Sequence, residues 1–195
     1  LESHFQPPMS MAMLMGGWFE EMDRRMKLYG RMRSAGVLLP LDRRGHLDDG
    51  KLEFKFQAPH DHDLLRRALA TLTKVHFHAG ALEVWPAIRA NEWLTRDQVT
   101  TAGTIDEAKI DAFYARVIRE KDDATLSSAH PHGGNPMHPD PAKGVVGLDC
   151  KVHGTENVLV TDASVFPACI GVNAQYTVMA IAHLATQPVA GAPPI

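Results

Sequence analysis

A proline- and glycine-rich break followed by an almost wholly apolar run constrains this chain more than any other feature. Residues 130–144 read HPHGGNPMHPDPAKG. Their four prolines remove backbone donors and fix φ, so the stretch predicts a loop. Beyond it, ENVLVTDASVFP predicts a short strand, Val158 to Val160, apolar enough to be buried on both faces. TVMAIAHLA then reads as a buried helix, with Pro188 ending it shortly afterwards. ACIGVNAQ forms the loop leading into that helix. A buried strand, a turn and a helix is the arrangement in which α/β proteins hold ligands at the carboxyl end of a strand.

The upstream part has a different rhythm. AGVLLPLDRRGHLDDGKLEFKFQAP predicts two strands, Val37 to Leu41 and Leu52 to Phe56, joined through a turn at Asp48-Asp49-Gly50. DHDLLRRALATLTKVHFHAG places Leu65, Leu69 and Leu72 at helical spacing, with acidic residues at its start and Gly80 as its stop. Thr-Ile-Asp-Glu from Thr104 is a capping-box pattern, and Ile110, Phe113, Tyr114 and Val117 make one apolar face behind it. These elements alternate too irregularly for a doubly wound sheet and predict an α+β fold. There are no internal repeats, and the tail PVAGAPPI reads as disordered.

With 195 residues, the chain is long enough to bury a sizeable core. Its net charge of -3 argues against nucleic acid, because the short basic clusters Arg24-Arg25 and Arg66-Arg67 sit beside carboxylates and read as solvated helix faces. Only two cysteines, Cys150 and Cys169, are present and far apart, which fits a reducing compartment and a cytoplasmic location. The apolar run MSMAMLMGGWF is shorter than a membrane span and lacks a basic leader. The chain starts at Leu1 rather than a methionine, consistent with a processed chain, a cut one or a portion of a longer reading frame.

Eleven histidines invite a metal reading. His60-Asp61-His62 and His76-Phe77-His78 are H-x-H pairs, and His130, His132 and His138 cluster with Asp140. Zinc needs three or four ligands at fixed geometry. The first pair lacks the further histidine of a hydrolase motif, since Leu64 stands there, so surface or core histidines account better for both pairs and no metal is expected. A serine nucleophile would need a G-x-S-x-G elbow, and none is present. Neither cysteine has a cue that would lower a thiol pKa. A G-x-G-x-x-G turn and a Walker loop are both missing.

The run from Ser127 to Ala185 resembles the carboxy-terminal signature of the glucose-methanol-choline flavoprotein oxidoreductases. Their H-P-x-G-T-x-x-M-G-x-D-P segment is matched by His130-Pro131, Gly133, Met137 and Asp140-Pro141. Their V-H-G-x-x-N-L-x-V-x-D-A-S-x-x-P segment is matched by Val152-His153-Gly154, Asn157, Asp162-Ala163-Ser164 and Pro167. Gly171-Val172-Asn173 matches the G-x-N loop that follows. Gly134 stands in place of threonine, His138 of glycine and Ala174 of proline.

The resemblance implies oxidation of a small-molecule alcohol, with a hydride passing from the carbinol carbon to N5 of FAD. By analogy, His130 is the general base and Asn173 holds the substrate oxygen. Imidazole titrates near physiological pH and can take and return a proton, a contribution of about 10²- to 10⁴-fold. Asp162 and Ala163 match the strand end that approaches the FAD ribityl and pyrophosphate, and the helix from about Gln175 directs backbone N–H groups at the flavin pyrimidine. His132 has no role in the pattern and reads as a loop histidine shaping the pocket.

The resemblance also implies an architecture. Residues 1–145 would belong to a mixed-sheet substrate domain that includes the histidine loop, 146–188 to the closing strand and helix of a Rossmann-type FAD domain, and 189–195 to a tail. The Gly-rich ADP-binding half would be a separate, amino-terminal partner segment. Two other readings stay open: a non-catalytic module left by truncation or a split gene, and a metal-dependent hydrolase built on the His130 cluster.

Overall fold

Helix α3, His60–His78, organises the first half of the molecule. Asp61 and Asp63 lie in its first turn and His76 and His78 in its last, each sign suited to the helix dipole. Its end is a Schellman turn: Ala81 N donates to His76 O at 2.9 Å, and Gly80 N donates to Phe77 O at 3.1 Å. Gly80 takes φ +97°, which a side chain would resist, so glycine stops the helix as the sequence predicts. Arg96 adds a second cap, donating through Nε to Ala81 O at 3.1 Å and through Nη2 to Phe77 O.

The computed structural model describes residues 1–39, 45–53, 59–120, 123–127 and 130–190. The chain divides into two units, Leu1–Leu39 with Phe56–Leu126, and Pro40–Lys55 with Ser127–Ile195. It combines helices with short strands, in keeping with an α+β fold. Among the described residues no helix is long and apolar enough to cross a membrane.

In the first unit, α3 packs on helix α4, Glu107–Val117. Leu65, Ala70 and Phe77 from one side meet Ile110, Phe113, Tyr114 and Val117 from the other, the apolar face that the spacing predicts. Inside this core Thr73 Oγ1 and Tyr114 Oη share a hydrogen bond of 2.7 Å. Burial pushes the Tyr114 phenol up to about 12. Its contribution to stability is therefore complete below the unfolded value near pH 10 and lost as pH climbs toward 12. Tyr114→Phe leaves the Thr73 hydroxyl unpaired in the core and is expected to cost about 1–3 kcal/mol, read from urea denaturation at pH 7.

Helix α4 starts differently from the capping-box expectation. Thr104 lies in a small hairpin, β7 (Thr100–Thr101) with β8 (Thr104–Ile105), whose turn residues Ala102 and Gly103 both have positive φ. The N-cap is Asp106, and its carboxylate is taken by the Thr101 hydroxyl at 2.9 Å rather than by the helix. Another two-stranded pair, β5 (Glu83–Val84) with β6 (Leu94–Thr95), flanks the same core.

The amino-terminal part pairs β1, Glu2–His4, with β2, Ser34–Gly36, and carries α1, Pro8–Leu14, and α2, Glu20–Lys27. The predicted strand at Val37 to Leu41 is thus replaced by one ending at Gly36, and its Leu41 lies outside the described residues. Helix α2 corrects a second expectation. Arg25 is only 2% exposed. Its guanidinium lies 5.3 Å from the centroid of Trp85 and 5.0 Å from that of Trp93, with Nη2 2.9 Å from Glu21 Oε1 and Nη1 donating to Gly16 O. Two aromatic faces and a carboxylate replace the water that a sequence reading assigns to it. Arg66 is also engaged, donating to Ile118 O and Asp63.

In the second unit, β3 (His46–Asp48) and β4 (Lys51–Glu53) form a hairpin on Asp49-Gly50, both with positive φ as a type I′ turn requires. The predicted turn is there, while Phe54 to Phe56 fall outside the described residues. The predicted buried strand at Val158 to Val160 is reduced to one antiparallel bridge, Lys151 to Leu159, and Val158 is exposed. Val160 of the same run packs on the cluster of Val146, Val165 and Phe166, so among the described residues the cover reaches only one end of it. Helix α5 runs Gln175–Ala190, past Pro188. Val178 and Ile181 pack on Val165 and Phe166, whereas Tyr176, Met179 and Leu184 are exposed, so the helix is half-covered rather than buried. Of the tail predicted to be disordered, 188–190 continue the helix and 191–195 lie outside the described residues.

Candidate functional site

The loop of residues 130–137 lies along a 3-10 turn, Ala163–Val165. Every second N–H of the loop donates to it: Gly133 N to Ala163 O at 3.3 Å, Asn135 N to Ser164 O at 2.9 Å and Met137 N to Val165 O at 2.8 Å. Proline at 131 and 136 costs this ladder nothing, because those positions are not donors in it. Gly133, at φ +79°, sits where a Cβ would come 3.3 Å from Phe166 O. Glycine there lets the two backbones approach.

His130 is half-buried, and its ring stacks parallel to that of His132 with centroids 6.5 Å apart and 6° between planes. His132 also packs 5.3 Å from Phe166, and among the described residues its buried Nε2 has no hydrogen-bond partner. An orphaned imidazole nitrogen is unusual in a folded protein.

Asp162 caps the 3-10 turn, its carboxylate accepting from Ser164 N at 2.8 Å. The Ser164 hydroxyl, then its N–H, hold the Asp162 carboxyl below the ordinary range, so it stays charged while exposed. Ala163 is half-buried beside it. Asn173 is exposed in the loop before α5, and Gln175 is the first residue of that helix. Among the described residues no hydrogen bond joins His130 to Asn173. Ala174, in place of the usual proline, is buried, and its carbonyl accepts the α5 bond from Val178 N at 2.9 Å.

The segment between the two motifs is a knot of short contacts. His138 Nδ1 accepts from Asp140 N at 2.9 Å, and His153 Nε2 donates to His138 O at 2.9 Å. Val146 bridges Met137 in parallel and Val152 antiparallel. His138 and His153 are thus occupied in shaping the loop, and among the described residues no three His, Cys, Asp or Glu side chains are grouped to hold a metal ion. Cys150 is buried, with its thiol pushed up by burial and then by Asp149, and Cys169 is exposed. Both are free. At Gly144 a Cβ would fall 2.6 Å from His138 Cβ and 2.7 Å from both His138 N and Pro136 O. Gly144→Ala is accordingly expected to push the knot apart at a cost of about 1–3 kcal/mol, seen as a lower urea midpoint.

The family model described as GMC oxidoreductase matches residues 44–182, which include the loop, the 3-10 turn and the first half of α5. The chain belongs to the GMC oxidoreductase family and carries its carboxy-terminal region. It is also 33% identical over 159 residues to the uncharacterized GMC-type oxidoreductase y4nJ of Sinorhizobium fredii, covering 79% of this chain and 28% of that relative. The chain therefore spans well under a third of the length of that relative.

The residues fit a flavin in their chemistry. A charged, exposed carboxylate at Asp162 suits a polyol. The first turn of α5 bears no acidic side chain, so its free N–H groups favour a partly negative ring edge. The orphaned His132 Nε2 leaves one donor or acceptor for the pocket. Sequence reasoning did not pair Asn135 with Ser164, whose side chains meet at 3.0 Å across 29 residues of sequence.

Proposed function

We propose that this chain is the catalytic carboxy-terminal part of an FAD-dependent oxidoreductase acting on the CH–OH group of a small-molecule alcohol. The observation that carries the reading is the ladder joining the His130 loop to Ala163–Val165 in a chain of this family. It ties the proposed base to the segment proposed to meet the cofactor.

FAD, when bound, supplies a two-electron acceptor for the hydride of the carbinol carbon. In this reading His130 accepts the hydroxyl proton at its imidazole and later returns it to solvent. The Asn173 amide donates to the substrate oxygen as negative charge gathers there. The Asp162 carboxylate would hold the ribityl chain of FAD through a hydroxyl, with the Ala163 backbone beside it, and the Gln175 N–H would hold the flavin pyrimidine. Residues 1–145 act as the substrate-domain portion and 146–188 as the closing portion of the FAD domain. The ADP half of the cofactor is held by an amino-terminal segment of the longer protein, and the enzyme works in the cytoplasm.

The test is the visible spectrum of the protein that contains this chain, expressed from its complete reading frame. Flavin absorbance that bleaches on anaerobic addition of an alcohol supports the reading. A protein without flavin, or with a flavin that no alcohol in a broad panel reduces, overturns it.

A further inference from the structure

A chain of side-chain hydrogen bonds runs beneath the backbone ladder. Asn135 Nδ2 donates to Ser164 Oγ at 3.0 Å, and the Ser164 N–H donates to the Asp162 carboxylate at 2.8 Å. Backbone pairing alone would hold the two segments together, since the ladder already contains three bonds. The side-chain bonds add a directional link from a charged carboxylate to the loop that bears His130.

We infer that Asn135 and Ser164 are positioning residues that link flavin binding at Asp162 to the placement of His130. The inference rests on the flavin reading above. Ser164 orients the carboxylate, and Asn135 passes that orientation to the loop. Neither touches the reacting atoms.

The experiment uses the flavoprotein made from its complete reading frame, with FAD as the titrant. Dissociation constants for FAD, single-turnover reduction by alcohol and thermal melting are measured for Ser164→Ala, Ser164→Thr, Asn135→Ala, Asp162→Asn and the Asn135→Ala/Asp162→Asn double variant. Ser164→Ala, which removes the acceptor for Asn135 and keeps the N–H to Asp162, is expected to weaken FAD binding about fivefold, the scale of a lost neutral hydrogen bond, and to slow reduction alongside it. Ser164→Thr, which keeps the hydroxyl, should restore both. The double variant should lose less affinity than the two single losses combined, because both act on one chain of bonds.

A merely structural loop lock predicts otherwise: lower melting temperature, FAD affinity and reduction within twofold of the parent, and additive losses. That result overturns the inference while leaving the flavin reading in place. If the parent protein holds no FAD, both fall together. If it holds FAD but is unaffected by loss of His130, the flavin reading of the base fails alone.

Discussion

Replacing His130 by alanine is expected to slow alcohol-driven flavin reduction by about 10²- to 10⁴-fold, with FAD absorbance and affinity nearly unchanged. The expectation follows from where the ring sits. His130 is half-buried and stacked on His132, and it spends no hydrogen bond on another described residue. Among the described residues nothing competes with a hydroxyl for its nitrogens. The loop itself is held by backbone donors at 133, 135 and 137, which alanine at 130 does not disturb. A loss of rate should thus come without a loss of fold. Stopped-flow reduction of the holoenzyme at several pH values decides it. Near-normal reduction would remove His130 as the base, and His130→Gln, which cannot take a proton, should be as slow as alanine.

The second large effect concerns stability. Arg25→Ala should destabilise the protein by about 3–5 kcal/mol, because it strips the partner from Glu21 and empties the space between Trp85 and Trp93. Burial lowers the Arg25 pKa and Glu21 raises it, so at neutral pH the guanidinium remains charged. Asn91 Nδ2, 3.1 Å from Glu21 Oε2, would be the remaining donor to that carboxylate. Arg25→Lys should recover only part of the loss, since an ammonium cannot lie flat between two indole rings. The neighbouring Arg24, half-exposed and 3.6 Å from Glu83, should cost under about 1 kcal/mol when changed to alanine. Urea denaturation of the two variants side by side separates these cases, and equal midpoints would refute the clamp.

What the sequence revealed, and what it hid, divides along the range of the interactions. The α3 and α4 faces were legible because Leu65, Ile110, Phe113, Tyr114 and Val117 recur at helical spacing, and Gly80 stops α3 by a purely local requirement. The Asp49-Gly50 turn was legible for the same reason. Arg25 was not, because Trp85 and Trp93 come from about sixty residues away. Thr104 misled because it lies in strand β8 and its hydroxyl donates to Thr101 O, an outcome that a four-residue pattern cannot express. Val158 and the outer side of α5 misled because hydrophobicity asks for cover without naming what provides it. At the candidate site the motifs marked His130, Asp162, Ala163, Asn173 and Gln175, but the Asn135–Ser164 contact belongs to neither motif alone.

The ladder between residues 133–137 and 163–165 has a consequence for how such chains can change over generations. Deleting Gly134 would bring Pro136, which has no N–H, into the place of the donor at 135, and deleting a residue of 163–165 would remove one of the three acceptors. Length is freer only at the exposed turn of residues 154–157, beyond the contacts of His138, Gly144, Val146 and Val152. Insertions in a lineage should therefore collect in that turn, while the two short segments keep their internal spacing and behave as a single heritable word written in two places.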